Sequence, residues 1–124
     1  MPRVLIVEDD IDSGDALAAF LSSQGFSVDV ARDEREALRE LMNDVPDAVV
    51  LDLHLPGTDG ATLLGIVRSY LRWNPVPVVV WTALPEDDPL VERVRRIGVS
   101  ALTFKPRSSL DDIRTAIVNA LPDA

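Results

Sequence analysis

Cysteine is missing from this chain, which excludes disulfides, thiolate metal sites and thiol catalysis and fits a cytoplasmic protein. No apolar run approaches membrane-spanning length, and Met1-Pro2-Arg3-Val4 passes straight into a strand pattern without the charged and apolar stretches of a signal peptide. Basic residues are outnumbered, 12 against 21 acidic ones, and the net charge of −9 repels phosphate backbones. The densest basic cluster, Arg93-Val94-Arg95-Arg96, does not offset it, so neither nucleic acid nor membrane is expected as a direct partner. A Gly-x-x-x-x-Gly-Lys phosphate loop is also lacking, which disfavours nucleotide hydrolysis. There is no linker, internal repeat or low-complexity tract. The 124 residues, 47% hydrophobic, suit a single domain over 1–124, and with the tail Leu121-Pro122-Asp123-Ala124 no output domain is expected.

What is present is an alternation of five short apolar runs with five segments of helical period, the pattern of repeated strand-helix units. Segment 13–24 places Leu17, Phe20 and Leu21 on one face and stops at Gly25. Segment 34–43 carries Ala37, Leu38 and Leu41 behind a capping box of Asp33 and Glu36. Leu63, Leu64, Val67 and Leu71 make a third stripe; Leu90, Val91, Val94 and Ile97 make a fourth between Pro89 and Gly98. Ile113, Ala116, Ile117 and Leu121 make the fifth, entered through Ser109 and Asp112. Apolar runs one, three and four are continuous, as strands covered on both faces must be. Phe26-Ser27-Val28-Asp29-Val30 alternates and Ala101-Leu102-Thr103-Phe104 is mixed, so these belong at the edges. The doubly wound parallel order 2-1-3-4-5, with helices on both faces, puts those two strands outside and makes the first and third neighbours.

Chemically reactive residues follow the ends of these runs: Glu8-Asp9, Asp52, Thr82-Ala83 and Lys105-Pro106. A parallel sheet gathers those ends on one edge. Three carboxylates there repel one another, each pair by roughly 4 kcal/mol at about 4 Å and an effective dielectric of about 20. Lys105 offers one compensating charge, and a hard divalent cation bound through oxygen offers the rest; Mg²⁺ suits because it takes few protein ligands and keeps waters that a phosphate can replace, with Mn²⁺ as the substitute. Any one acid by itself reads more readily as a solvated loop residue or a helix cap, since acids commonly follow strands and precede helices. The set does not, because Asp52 closes a central apolar strand where an unpaired charge is expensive. Thr82 alone reads as a strand-end hydroxyl and Lys105 alone as a surface ion-pair partner. Trp73 and Trp81 occupy apolar positions and read as core.

In this order and spacing the residues resemble the receiver domain of bacterial two-component response regulators, in its stand-alone, chemotaxis-regulator-like form, over essentially all 124 positions. The resemblance implies a flavodoxin-like (βα)5 fold. It further implies Glu8-Asp9 as the acidic pair, Asp52 as phosphoacceptor, Thr82-Ala83 as the hydroxyl and small residue, and Lys105 followed by a cis Pro106. Asp9 and Asp52 would bind Mg²⁺ directly, Glu8 through water and His54 through its backbone carbonyl, with no role for the imidazole. Asp52 would then take a phosphoryl group from a phosphohistidine on a sensor histidine kinase or histidine phosphotransfer protein, and signal by contact with a downstream protein that the sequence does not name. That is Mg²⁺-dependent self-phosphorylation and dephosphorylation, not turnover of a substrate.

Two positions depart from the family. Leu102 stands where the switch aromatic is usual, three before the lysine; Phe104, two residues on, reads either as a displaced aromatic or as a packing residue. Arg107 replaces the aromatic that commonly follows Lys-Pro. A receiver-like scaffold working without phosphorylation is the competing reading, against which the complete acid, threonine and lysine set argues. A turnover phosphatase of the aspartyl-phosphate type would want an acid two residues after Asp52, where His54 stands. Asp59 and Gly60, after Pro56-Gly57, read as the turn that holds the segment following Asp52.

Overall fold

The computed structural model describes residues 1–122. Five parallel strands form one sheet: β1 (Arg3–Val7), β2 (Ser27–Ala31), β3 (Ala48–Leu51), β6 (Val78–Thr82) and β7 (Ala101–Phe104), in the order β2-β1-β3-β6-β7. This is the doubly wound order expected from the sequence. The intervening numbers belong to two two-residue strands that periodicity is too coarse to find, β4 (His54–Leu55) and β5 (Thr58–Asp59), which pair antiparallel just after Asp52. The expected edge strands are the edges: β2 and β7 are only partly buried, whereas β3 and β6 are buried throughout.

Five helices cover the sheet: α1 (Ile11–Ser23), α2 (Glu34–Asn43), α3 (Gly60–Ser69), α4 (Pro89–Ile97) and α5 (Leu110–Ala120). Strand alternation splits the core. Leu5, Val7, Leu51 and Val80 face α2, α3 and α4, while Val4, Ile6, Val50, Val79 and Trp81 face α1 and α5. Each helix starts at a short polar side chain that accepts an N–H of the first turn, namely Asp10, Asp33, Asp59, Asp88 and Ser109. Ser109 and Asp112 complete a capping box. Asp33 and Glu36 make only half of one, because the Glu36 carboxylate takes the Arg32 N–H instead, at 2.9 Å.

Two boundaries differ from the sequence reading. The first helix begins at Ile11, because Asp10 caps it. The third ends at Ser69 when Tyr70 turns extended, so Leu71, expected on its apolar stripe, is 90% exposed. Gly60 is required by crowding: a Cβ there would lie 2.8 Å from the Leu53 Cα. Trp73 and Trp81 are both buried, and no helix among the described residues is long and apolar enough to cross a membrane.

Candidate functional site

Adjacent pairing of β1 with β3 sets Val7 beside Leu51, so the residues that follow, Glu8 and Asp52, leave the sheet together. Asp52 N–H donates to the Val7 carbonyl at 3.0 Å, and Glu8 N–H to the Ala31 carbonyl at 2.9 Å. Glu8 is fully buried and Asp52 is 5% exposed, while Asp9 is half-buried; one oxygen of each lies within 4.8 Å of the others. Glu8 Oε2 accepts the Asp10 N–H at 3.2 Å, which ties the acid to the start of α1.

Lys105 arrives from the far edge. Its backbone N–H donates to the Thr82 carbonyl at 2.8 Å, and its ammonium, only 19% exposed, pairs with Glu8 and lies 3.4 Å from Asp52 Oδ2. The same ammonium sits 5.0 Å from the Trp81 ring centroid, a cation–π contact that gives this core residue a second job in aiming the lysine. Burial and the neighbouring Asp52 carboxyl outweigh Lys105 and push the Glu8 pKa up to about 8. Burial pulls the Lys105 ammonium down, but Glu8 and Asp52 together hold it above its ordinary value.

Thr82 is wholly buried at the end of β6, and its hydroxyl accepts the Leu84 N–H at 3.1 Å. Ala83 beyond it is exposed. Register puts Phe104 directly beside Thr82, and Leu102 beside Val80. Phe104 is buried in the core with the Arg107 guanidinium 4.7 Å from its ring, and Leu102 packs half-buried against the same core. His54 lies on β4 with its side chain exposed, and its N–H reaches Asp52 Oδ1 at 3.3 Å.

The cis proline is corrected: the Lys105–Pro106 bond is trans, like every described peptide bond. Trans is favoured by about 0.5–1 kcal/mol before proline. It also lets Arg107 and Ser108 close the turn by donating to the Phe104 carbonyl at 3.1 and 2.9 Å.

Sequence reasoning missed Arg32, just past the end of β2. Its guanidinium lies 3.5 Å from the Glu8 carbonyl, 3.4 Å from that of Asp10 and 2.7 Å from Asp15 Oδ1, so it straddles Asp9 from outside the loop. A Cβ on Gly14 would lie 2.5 Å from this group, so the small residue at 14 makes the contact possible. In the sequence the signal was only an unassigned Arg32 and, far from it along the chain, Gly14 in the first helix.

The residues fit a hard cation. Glu8 Oε1 is buried and pairs with the Lys105 ammonium, so this oxygen already faces a cation. Oxygen donors on a half-exposed acid and two buried ones converge at that point.

Residues 4–118 match the family model described as the response regulator receiver domain. The chain is 38% identical over 105 residues to the response regulator MprA of Mycolicibacterium vanbaalenii, covering 85% of this chain and 43% of that protein. It is 40% identical over 106 residues to the transcriptional regulatory protein QseB of Escherichia coli O157:H7, covering 84% of this chain and 46% of the other. It thus spans less than half the length of these relatives. The signal receiver domain of a signal transduction histidine kinase from Syntrophus aciditrophicus superposes with a TM-score of 0.87 at 27% identity, covering 98% of this chain and 90% of that one. The sheet order, the clustered acids and this match place the chain in the response regulator receiver domain family.

Proposed function

We propose that Asp52 accepts a phosphoryl group from a phosphohistidine on a sensor histidine kinase or histidine phosphotransfer protein, and that the phosphorylated chain signals by contact with a protein target. The observation that carries this is the meeting of Asp52 with two acids and Lys105 at one strand edge. The Asp52 carboxylate forms the new P–O bond in line with the P–N bond that breaks, and the imidazole leaves with the electron pair and a proton. Lys105 offsets the charge arriving on the phosphoryl oxygens. The Thr82 hydroxyl and the Ala83 N–H are the neutral donors, and the missing side chain at 83 lets the backbone approach. Glu8, Asp9 and Asp52, with the His54 carbonyl, would hold Mg²⁺ or Mn²⁺, which supplies positive charge against both the carboxylates and the incoming phosphate. Transfer to and hydrolysis from Asp52 are the whole chemistry, without turnover of a separate substrate. The setting proposed is the cytoplasm, and a net charge of −9 favours a protein readout over nucleic acid.

The test is incubation with acetyl phosphate and Mg²⁺ followed by intact mass and peptide mapping. One phosphoryl group on Asp52, lost in chelator and in Asp52→Ala, is expected. Labelling that persists in Asp52→Ala rejects the assignment, and no labelling at all would favour the unphosphorylated scaffold.

A further inference from the structure

Away from the acidic edge, Met42, Tyr70 and Leu71, all large apolar side chains left in solvent, line one cleft of about 520 Å³ together with Trp73 and Arg72. Met42 also lines the adjoining groove that runs along α2 past Leu38. The loop that presents these groups is held: Arg68 donates to the Asn74 and Val76 carbonyls at 2.9 and 2.6 Å, and Trp73 N–H to the Tyr70 carbonyl at 3.1 Å. A fixed backbone therefore keeps Leu71 in water, where it forgoes the burial that a large apolar side chain normally gains. Trp73 is itself buried, yet its indole N–H meets no acceptor among the described residues.

Charge identifies the occupant. Arg35, Arg39 and Arg72 flank the cleft and its groove against one carboxylate, Glu34; like Arg93, Arg95 and Arg96 on α4 they form no ion pair among the described residues, whereas Arg3, Arg32, Arg107 and Arg114 each hold a carboxylate. On a chain of net charge −9 the three at the cleft are cations without a carboxylate partner among the described residues. We propose that the cleft docks an amphipathic helix of a second protein, apolar on one face and flanked by Asp and Glu. The ten residues of α2 give a groove about 15 Å long, enough for roughly three turns of such a helix laid alongside. Its carboxylates meet the arginines. A second copy of this chain fits less well, because a two-fold contact would face the arginines with themselves. An anionic membrane is repelled by the rest of the surface.

This inference does not depend on phosphorylation of Asp52. Its test uses a designed helical peptide with Leu and Trp on one face and Glu on its flanks, beside a counterpart with Lys for Glu, titrated into the labelled full chain by NMR. The acidic peptide should shift resonances of Leu38, Met42, Tyr70, Leu71 and the Trp73 indole. Arg35→Glu with Arg39→Glu, and separately Leu71→Ser, should each weaken binding by about tenfold or more. Both variants should keep the circular dichroism and thermal transition of the parent chain, which confirms that they fold. Equal binding of the lysine peptide, shifts elsewhere, or no binding at about 1 mM peptide overturns the proposal. So does binding to vesicles of phosphatidylcholine and phosphatidylglycerol that Leu71→Ser abolishes, or dimerisation of the free chain that the same change abolishes.

Discussion

The ends of β3 and β7 supply opposite charges to one site by opposite means. Asp52 closes a central strand, flanked by β1 and β6, and is fixed by the Val7 carbonyl and by burial. Lys105 leaves an edge strand that is only partly buried, and reaches inward on a long side chain steered by Glu8, Asp52 and Trp81. The acids therefore cannot retreat from one another, while the cation is free to be re-aimed. Repulsion gathers at the centre and is relieved from the edge, so loss of the edge cation is felt as instability at the centre.

Removing the edge cation breaks this arrangement hardest. Lys105→Met leaves Glu8 and Asp52 buried without their partner and should lower unfolding free energy by about 3 kcal/mol near pH 8 in metal-free buffer, the low end for a broken buried pair. The loss should shrink near pH 5, where Glu8 carries its own proton. Urea melts at both values decide it, and an equal loss at both would mean that Lys105 contributes packing alone.

The same comparison predicts a pH dependence from the centre. Folded Glu8 keeps its proton up to about pH 8, whereas the unfolded chain releases it near 4.5. The folded state thus binds more protons between those values, so stability falls as pH rises through that window and levels off above it. Asp10 and Asp111, whose pKa values are lowered by Ser13 and by Arg114, act with the opposite sign but only below about 3.8. Glu8→Gln should flatten the profile and exceed the parent chain in stability at pH 8. Mg²⁺ should restore the parent at that pH more than the variant. A parent chain that gains stability from pH 5 to pH 8 contradicts the burial on which this rests.

The centre was also the more legible half in the sequence. Continuous apolar runs identify β1, β3 and β6 as inner strands, and the alternation of β2 and the mixed β7 identify the edges, because two-sided and one-sided burial demand different patterns. The strand-end residues followed from that. Leu71 was misread because a helical period carries on past a helix that has already ended at Ser69. The trans Lys105–Pro106 bond was misread because it was inferred from resemblance, and nothing local in the residues selects the isomer. Arg32 was invisible since its partners are backbone carbonyls and Asp15, brought near only by the pairing of β1 with β2. It gives a smaller effect that sharpens the comparison: Arg32→Ala should loosen the backbone on both sides of Asp9 and weaken Mg²⁺ binding by about threefold, with stability in metal-free buffer changed by less than about 1 kcal/mol. A loss of stability without a change in Mg²⁺ affinity would make Arg32 a strut and nothing more.

The smallest expected effect lies in the edge strand itself. Leu102 has neither the hydroxyl of a tyrosine nor a ring whose burial depends on Thr82. Thr103 Oγ1 donates to the Val80 carbonyl at 2.7 Å, and Phe104 is buried beside Thr82, so β7 is pinned to β6 from both faces. The loop after β6 is held differently, through the Leu84 N–H on the Thr82 hydroxyl. Turning that hydroxyl towards a phosphoryl group on Asp52 disturbs the loop first and α4, which follows it, next. Hydrogen exchange with Mg²⁺, with and without beryllofluoride as the phosphoryl mimic, should therefore change over residues 53–60 and 82–97 and scarcely over 101–104. An equally large change from Ala101 to Phe104 would show that the edge responds as a whole, with Phe104 moving despite its burial, and the distinction between a fixed strand and a movable lysine would fall.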